Sequence, residues 1–190
     1  MKPKSFDPEK TLQVIAEAFA HGGYEGTSME DLTKRTGLGK QSLYNAFGDK
    51  RAMMEKSLGC AGKQTESAKC FRQLEGNARQ KIELFFEKLI TELGDAKKPG
   101  CLVTNLLLEK GACDKEVAKL AGARWEQTRA LMACTLEEGK KDKSLPVSLD
   151  VEAVSFALMN LLNGLRVTAR AINQEDKLKK IVRLSLDAWL

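Results

Sequence analysis

Lys40, Gln41, Tyr44 and Asn45 fall on one face of the stretch TGLGKQSLYNAF, from Thr36 to Phe47. At 3.6 residues per turn, Leu43, Ala46 and Phe47 share another face, so one side of such a helix can be buried. The polar side carries an ammonium, two amides and a phenol. That set suits phosphate oxygens and base edges better than bulk water. Gln41 is the candidate for a base contact, because its amide can pair with N6 and N7 of adenine, and Lys40 could reach a guanine or a phosphate. Thr27, Ser28, Ser42, Tyr44, Asn45 and Lys50 are the candidates for holding the nucleic-acid backbone.

Two helices must precede this one if it is to be presented correctly. Leu12, Ile15, Ala16 and Phe19 make an i, i+3, i+4, i+7 stripe on a first helix, which stops in HGGYEGTS. A second helix starts next, either with Thr27 and Glu30 at capping-box spacing or with Ser28 and Asp31 one register on, and Met29 and Leu32 give it an apolar side. It stops at Gly37, which can take the left-handed conformation after a last turn, and Gly39 is a permissive N-cap for the third helix. Helix, turn and helix behind a supporting helix is the arrangement that places a reading helix in the major groove.

The run TSMEDLTKRTGLGKQSLYNAFGDKRAM, Thr27 to Met53, resembles the DNA-binding domain of the tetracycline repressor (TetR) family of bacterial regulators. The shared features are a Thr-led second helix, a Gly, then Leu-Tyr-x-x-Phe and a helix opened by Lys. Gly39, Gln41 and Ala46 depart from the residues common in the family at those positions. The resemblance implies a repressor that binds a palindromic operator as a homodimer and is released by a small-molecule effector. It implies residues 1–52 as the DNA-binding domain and residues 53–190 as the domain for ligand binding and dimerisation.

Composition agrees with this expectation. With 190 residues, 43% of them apolar, the chain can bury a substantial core. The net charge of +5 is modest, but between Lys34 and Lys56 six cations (Lys34, Arg35, Lys40, Lys50, Arg51, Lys56) face only Asp49 and Glu55. The N-terminal MKPKSFDPEK has no apolar run behind its basic residues, and no segment reaches membrane-spanning length, which points to the cytoplasm and away from a membrane. Five cysteines without a C-x-x-C pair suggest reduced thiols, with no disulfide framework and no structural zinc. The single histidine, His21, ends the first helix and suits a capping role better than metal ligation. No phosphate loop, nucleophile elbow or dinucleotide fingerprint is present, so the expectation is a protein that is not an enzyme and needs no cofactor or metal.

Beyond Lys50 the periodicity predicts only helices. One runs from Asp49 or Lys50 to about Leu74, and one from about Asn77 to Leu93 with Ile82, Phe85, Phe86, Leu89 and Ile90 inward. A short one in CLVTNLLLE and a long one from about Asp114 to Gly139 follow, and two more close the chain. The expected fold class is all-α, a three-helix reading head followed by a larger bundle. Between Ala153 and Leu165 apolar residues occupy nearly every side of the helix, and the last helix carries Leu178, Ile181, Val182, Ser185 and Trp189. This pair is expected to cover the bundle on one side and a second subunit on the other.

Phe86, Cys101, Asn105, Trp125, Phe156 and Asn160 are the candidates for lining an effector pocket, as apolar walls with a few amides. Cys101 follows Pro99 and Gly100 at a helix start, where the positive dipole end favours a thiolate, while the apolar run after it favours a packing role. Some members of the resembled family respond to electrophiles. The competing reading is a small-molecule or electrophile sensor, or an enzyme, whose DNA-binding head is vestigial; intact Lys40, Gln41, Tyr44 and Lys50 argue against it.

Overall fold

The computed structural model describes residues 6–60, 71, 73–95, 100–172 and 174–190, and among these it is all-helical. The helices are α1 (Pro8–Gly22), α2 (Met29–Thr36), α3 (Lys40–Phe47), α4 (Lys50–Cys60), α5 (Ala78–Gly94), α6 (Leu102–Lys110), α7 (Lys115–Lys141), α8 (Val151–Ala171) and α9 (Glu175–Trp189). They form two compact units: Met1–Lys63 with Pro99–Arg124, and Gln64–Lys98 with Trp125–Leu190. No helix among the described residues is long and apolar enough to cross a membrane.

In the first unit, α1 begins where the Asp7 carboxylate accepts from the N–H groups of Glu9 and Lys10 at 3.0 and 3.2 Å. Its predicted stripe is buried, with Ile15 and Phe19 fully inside. The choice of register for α2 goes to Ser28. Its hydroxyl oxygen accepts from the Asp31 N–H at 3.1 Å, and the Asp31 carboxylate accepts from the Ser28 N–H at 2.9 Å, so each end satisfies the other. Helix α2 closes at Gly37, which sits in the left-handed region at φ 70°, where a side chain would add strain.

The core of this unit joins Phe19 of α1, Leu32 of α2, Leu43 and Phe47 of α3 and Met53 of α4 to Leu106 of α6 and Val117 of α7. Helix α6 therefore packs with α1 to α4, although residues 64–98 lie between them in sequence. The helix expected to run from Lys50 to about Leu74 is described only as α4, to Cys60; residues 61–70 lie outside the described part.

In the second unit, Asn77 and Gln80 form a capping box at the start of α5. Ile82, Phe85, Phe86, Leu89 and Ile90 all point inward as the sequence predicts, and Phe85 meets Phe86 edge to face at 5.3 Å. From α8 come Leu158, Met159, Leu162 and Leu165, and from α9 Leu178, Val182 and Leu186. The buried stripe of α9 thus differs from the expected one. Leu186 takes the inward place, and Ile181 is 39% exposed. Spacing of four along 178, 182 and 186 keeps one face, whereas Ile181 is rotated by one residue out of it.

Candidate nucleic-acid interface

Helix α3 is held by its apolar face. Leu43 and Phe47 are buried, but Ala46, expected on the same face, is exposed; Lys40, Gln41, Ser42 and Asn45 are exposed and Tyr44 is 37% exposed. The amides of Gln41 and Asn45 are not independent: Gln41 Nε2 donates to Asn45 Oδ1 at 2.9 Å. One helical turn apart, they brace each other and reduce the rotamer freedom that contact would have to remove. Gln41 keeps one N–H and its carbonyl oxygen, which is the donor and acceptor pair that adenine offers a partner for in the major groove.

The residues expected to hold the nucleic-acid backbone divide. Ser42, Tyr44 and Asn45 lie with the exposed face of α3, and Lys50, half-buried, opens α4. Ser28 is exposed at the positive end of α2, but its hydroxyl donates to the Asp31 carboxylate at 2.6 Å as part of the cap. These bonds hold the Asp31 carboxyl below its ordinary pKa. Thr27 is corrected outright. It is buried, and its hydroxyl donates to Gly23 O at 2.7 Å, with Ala18 O a further 3.3 Å contact, so its side chain fixes the turn between α1 and α2 and does not face a ligand.

The basic cluster also contracts. The Lys56 ammonium donates to Phe47 O at 2.9 Å, satisfying the carbonyl end of α3. Arg51 grips Asp114 with two nitrogens, at 2.6 and 3.1 Å, and bonds Glu55 at 2.9 Å. Asp114 raises the Arg51 pKa above its ordinary value, and Arg51 lowers that of Asp114. Lys34, Arg35 and Lys40 are exposed, and the Lys50 ammonium stands 4.4 Å from the centre of the Tyr24 ring. Tyr24 and Asp114 are not singled out in the sequence, and Arg51 is expected there only as part of the basic cluster. Nothing in their spacing marks them, because their partners lie 26 residues on for Tyr24 and 63 for Arg51.

The pattern of bacterial regulatory proteins of the tetR family matches residues 12–56, and that of a tetracyclin repressor-like C-terminal domain matches residues 78–184. The chain belongs to the tetracycline repressor family. It is 27% identical to YezE of Bacillus subtilis, an uncharacterized HTH-type transcriptional regulator, over 96% of each chain. It is 23% identical to ComR of Escherichia coli, an HTH-type transcriptional repressor, over 99% of this chain and 91% of that one. Among solved structures, a cysteine mutant of the regulator CifR, complexed with 26-bp double-strand operator DNA, superposes over the full length of both chains at a TM-score of 0.85 and 24% identity. The fold and the DNA-binding helix-turn-helix of this transcriptional regulator are thus those of the family.

The residues expected to line an effector pocket in this TetR-family chain are divided between the units. Cys101 and Asn105 belong to the first, and Phe86, Trp125, Phe156 and Asn160 to the second. Asn105 is corrected as a pocket amide: it is buried, and its Nδ2 donates to Ala20 O at 2.8 Å, tying α6 to α1. Cys101 is the half-buried N-cap residue of α6, as its position after Pro99 and Gly100 suggested.

In the second unit the Trp125 and Phe156 rings are 5.7 Å apart, and the Arg129 guanidinium lies 4.8 Å from the Phe156 ring centre. Arg129 also pairs with Glu126 and donates to the Ser155 hydroxyl at 2.9 Å, and this pairing lowers the Glu126 pKa. Asn160 is exposed and Phe86 fully buried. A shallow groove lined by Glu75, Gly76, Gln80, Glu83, Leu84 and Glu87 contains none of the expected residues.

Exposure gives an ordering of the three described thiols. Cys113 and Cys134 are exposed and Cys101 is half-buried, so brief alkylation of the native protein is expected to label Cys113 and Cys134 before Cys101. Peptide mass mapping checks it. Cys101 labelled first would show that its helix-start position activates it enough to outweigh its burial.

Proposed function

We propose that the protein acts as a homodimeric repressor that reads a palindromic operator with α3 and leaves it when a small-molecule effector binds the second unit. The carrying observation is the braced amide pair of Gln41 and Asn45 on an exposed polar face backed by buried Leu43 and Phe47. Residues 1–52 supply the reading head and residues 53–190 the ligand and dimer functions, and the work is regulatory and cytoplasmic, where bacterial DNA lies. Gln41 and Lys40 face base edges; Ser42, Tyr44, Asn45 and Lys50 hold phosphates. Ser28 contributes through the helix end it caps.

Assembly rests on the apolar residues that α8 and α9 leave outside. Phe156, Val167, Ile181 and Leu184 are exposed large side chains on the last two helices, and a two-fold axis there would set two heads on half-sites about a turn of DNA, or a multiple, apart. Trp125 remains the candidate pocket wall, whereas Phe86 is fully buried in the aromatic cluster. An effector can shift the DNA-competent population only by its differential affinity for the two states, so a ligand that binds without changing operator affinity is not the regulator's effector.

The test is binding to a fragment from upstream of the protein's own gene over a range of salt concentrations. Lys50→Ala is expected to weaken binding by about 1 kcal/mol or more and to lower the salt slope by about one unit, as loss of a single phosphate contact does. An unchanged slope removes Lys50 from the interface. Gln41→Ala should relax base preference at one or two positions in each half-site, and equal weakening on all sequences would refute that assignment. Absent or salt-independent binding by the wild-type protein would favour a sensor or enzyme with a vestigial head.

A further inference from the structure

The turn between α1 and α2 is held from outside by α6. The Glu109 carboxylate accepts from the N–H groups of Tyr24 and Glu25 at 2.8 and 3.1 Å, both on the same oxygen. Gly23, at φ 75°, allows that approach: a Cβ there would run into the Glu109 carboxylate. Lys110, the next residue of α6, pairs with Glu25, which lowers the Glu25 pKa. The Tyr24 ring packs 5.7 Å from Phe19 on one side and receives the Lys50 ammonium at 4.4 Å. The Lys110 ammonium stands 5.3 Å from the same ring centre.

We propose that Glu109 and Tyr24 are positioning residues for DNA binding: the Glu109 carboxylate clamps the turn by two backbone N–H groups, and the Tyr24 ring fixed there holds the Lys50 ammonium in place for a phosphate. This rests on the regulator reading of the α3–α4 face. The physical reason is the flexibility of a lysine. Its four-carbon stem has many rotamers, and a phosphate contact must freeze one of them. A ring face that attracts the ammonium narrows that choice before DNA arrives, and the ring holds its place only while its own backbone is held. A carboxylate receiving two successive amide N–H groups is a charge-assisted restraint suited to that task.

The test combines operator binding with a measurement that needs no DNA. Tyr24→Leu is expected to weaken operator binding roughly two- to fivefold, the scale of one exposed cation–π contact, and Tyr24→Phe to leave it nearly unchanged. Glu109→Ala should weaken it by a similar factor, with Glu109→Gln, which keeps an acceptor oxygen, between it and wild type. In a Lys50→Ala background neither Tyr24→Leu nor Glu109→Ala should cost anything more, a result that general damage to the fold would not produce. In the free protein, Glu109→Ala should speed amide exchange at Tyr24 and Glu25 and reduce the upfield ring-current shift of the Lys50 side-chain methylenes.

Losses that add fully to that of Lys50→Ala overturn the proposal. Unchanged exchange and an unchanged Lys50 shift in Glu109→Ala overturn it as well, even where Lys50→Ala itself behaves as a phosphate contact should. If instead those two free-protein signals change but Lys50→Ala binds like wild type, the failure lies in the assignment of Lys50 to the interface, and the positioning role falls with it.

Discussion

Phe156→Asp is expected to give a folded protein that is monomeric and has lost tight operator binding, whereas Leu162→Asp is expected to unfold the second unit. Both residues are large, apolar and on α8, and the sequence offers no ground for treating them differently. Their surroundings do. Phe156 is 42% exposed, so a carboxylate there can stay hydrated in the monomer and is penalised only when a partner covers it. Leu162 is 1% exposed within the core of α5, α8 and α9, where an unpaired carboxylate costs several kcal/mol in the monomer itself. Sedimentation velocity and thermal melts of the two variants check this. A Phe156→Asp protein that remained fully dimeric would remove this part of α8 from the proposed subunit interface.

Phe86→Ala is the second large effect, and it also bears on whether Phe86 is a pocket wall. The ring is fully buried, packed edge to face against Phe85, which in turn lies 5.3 Å from the Phe71 ring. Truncating a ring in such a setting removes its transfer free energy and leaves a cavity the neighbours only partly fill, a loss of about 3–5 kcal/mol. Urea unfolding at constant slope would measure it. A loss well under about 1 kcal/mol would mean that Phe86 borders space already empty, as the wall of a ligand cavity would, and that the aromatic cluster is not close-packed around it.

Much of the head was legible because its signals are local. The stripe Leu12, Ile15, Ala16 and Phe19, the capping spacing of Ser28 and Asp31, the left-handed Gly37 and the two faces of α3 all arise within a few residues of one another, and periodicity and capping chemistry depend on such short separations. The same holds for α5, where Ile82, Phe85, Phe86, Leu89 and Ile90 follow from the helical period alone. Where two registers were open, as for Thr27 and Ser28, the local pattern could not choose. The buried bond from Thr27 to Gly23 O assigns that hydroxyl to the turn and leaves the cap to Ser28.

The long-range contacts followed different rules. Asn105 carries an amide of the type that lines pockets, yet it serves Ala20 O, and Lys56 and Arg51 carry charge of the type that meets DNA, yet they serve Phe47 O and Asp114. Ile181 lies next to the inward stripe of α9 and the helical period includes it, although a rotation of one residue leaves it outside. By itself the sequence determined the all-helical class, the head's motif, the exposed polar face of α3 and the family. Only the tertiary structure decided which polar groups remain available for DNA and which are consumed in holding the head together. A side chain's type sets what it can bond, but its partner is set by a fold that brings residues 85 positions apart, such as Tyr24 and Glu109, within 2.8 Å.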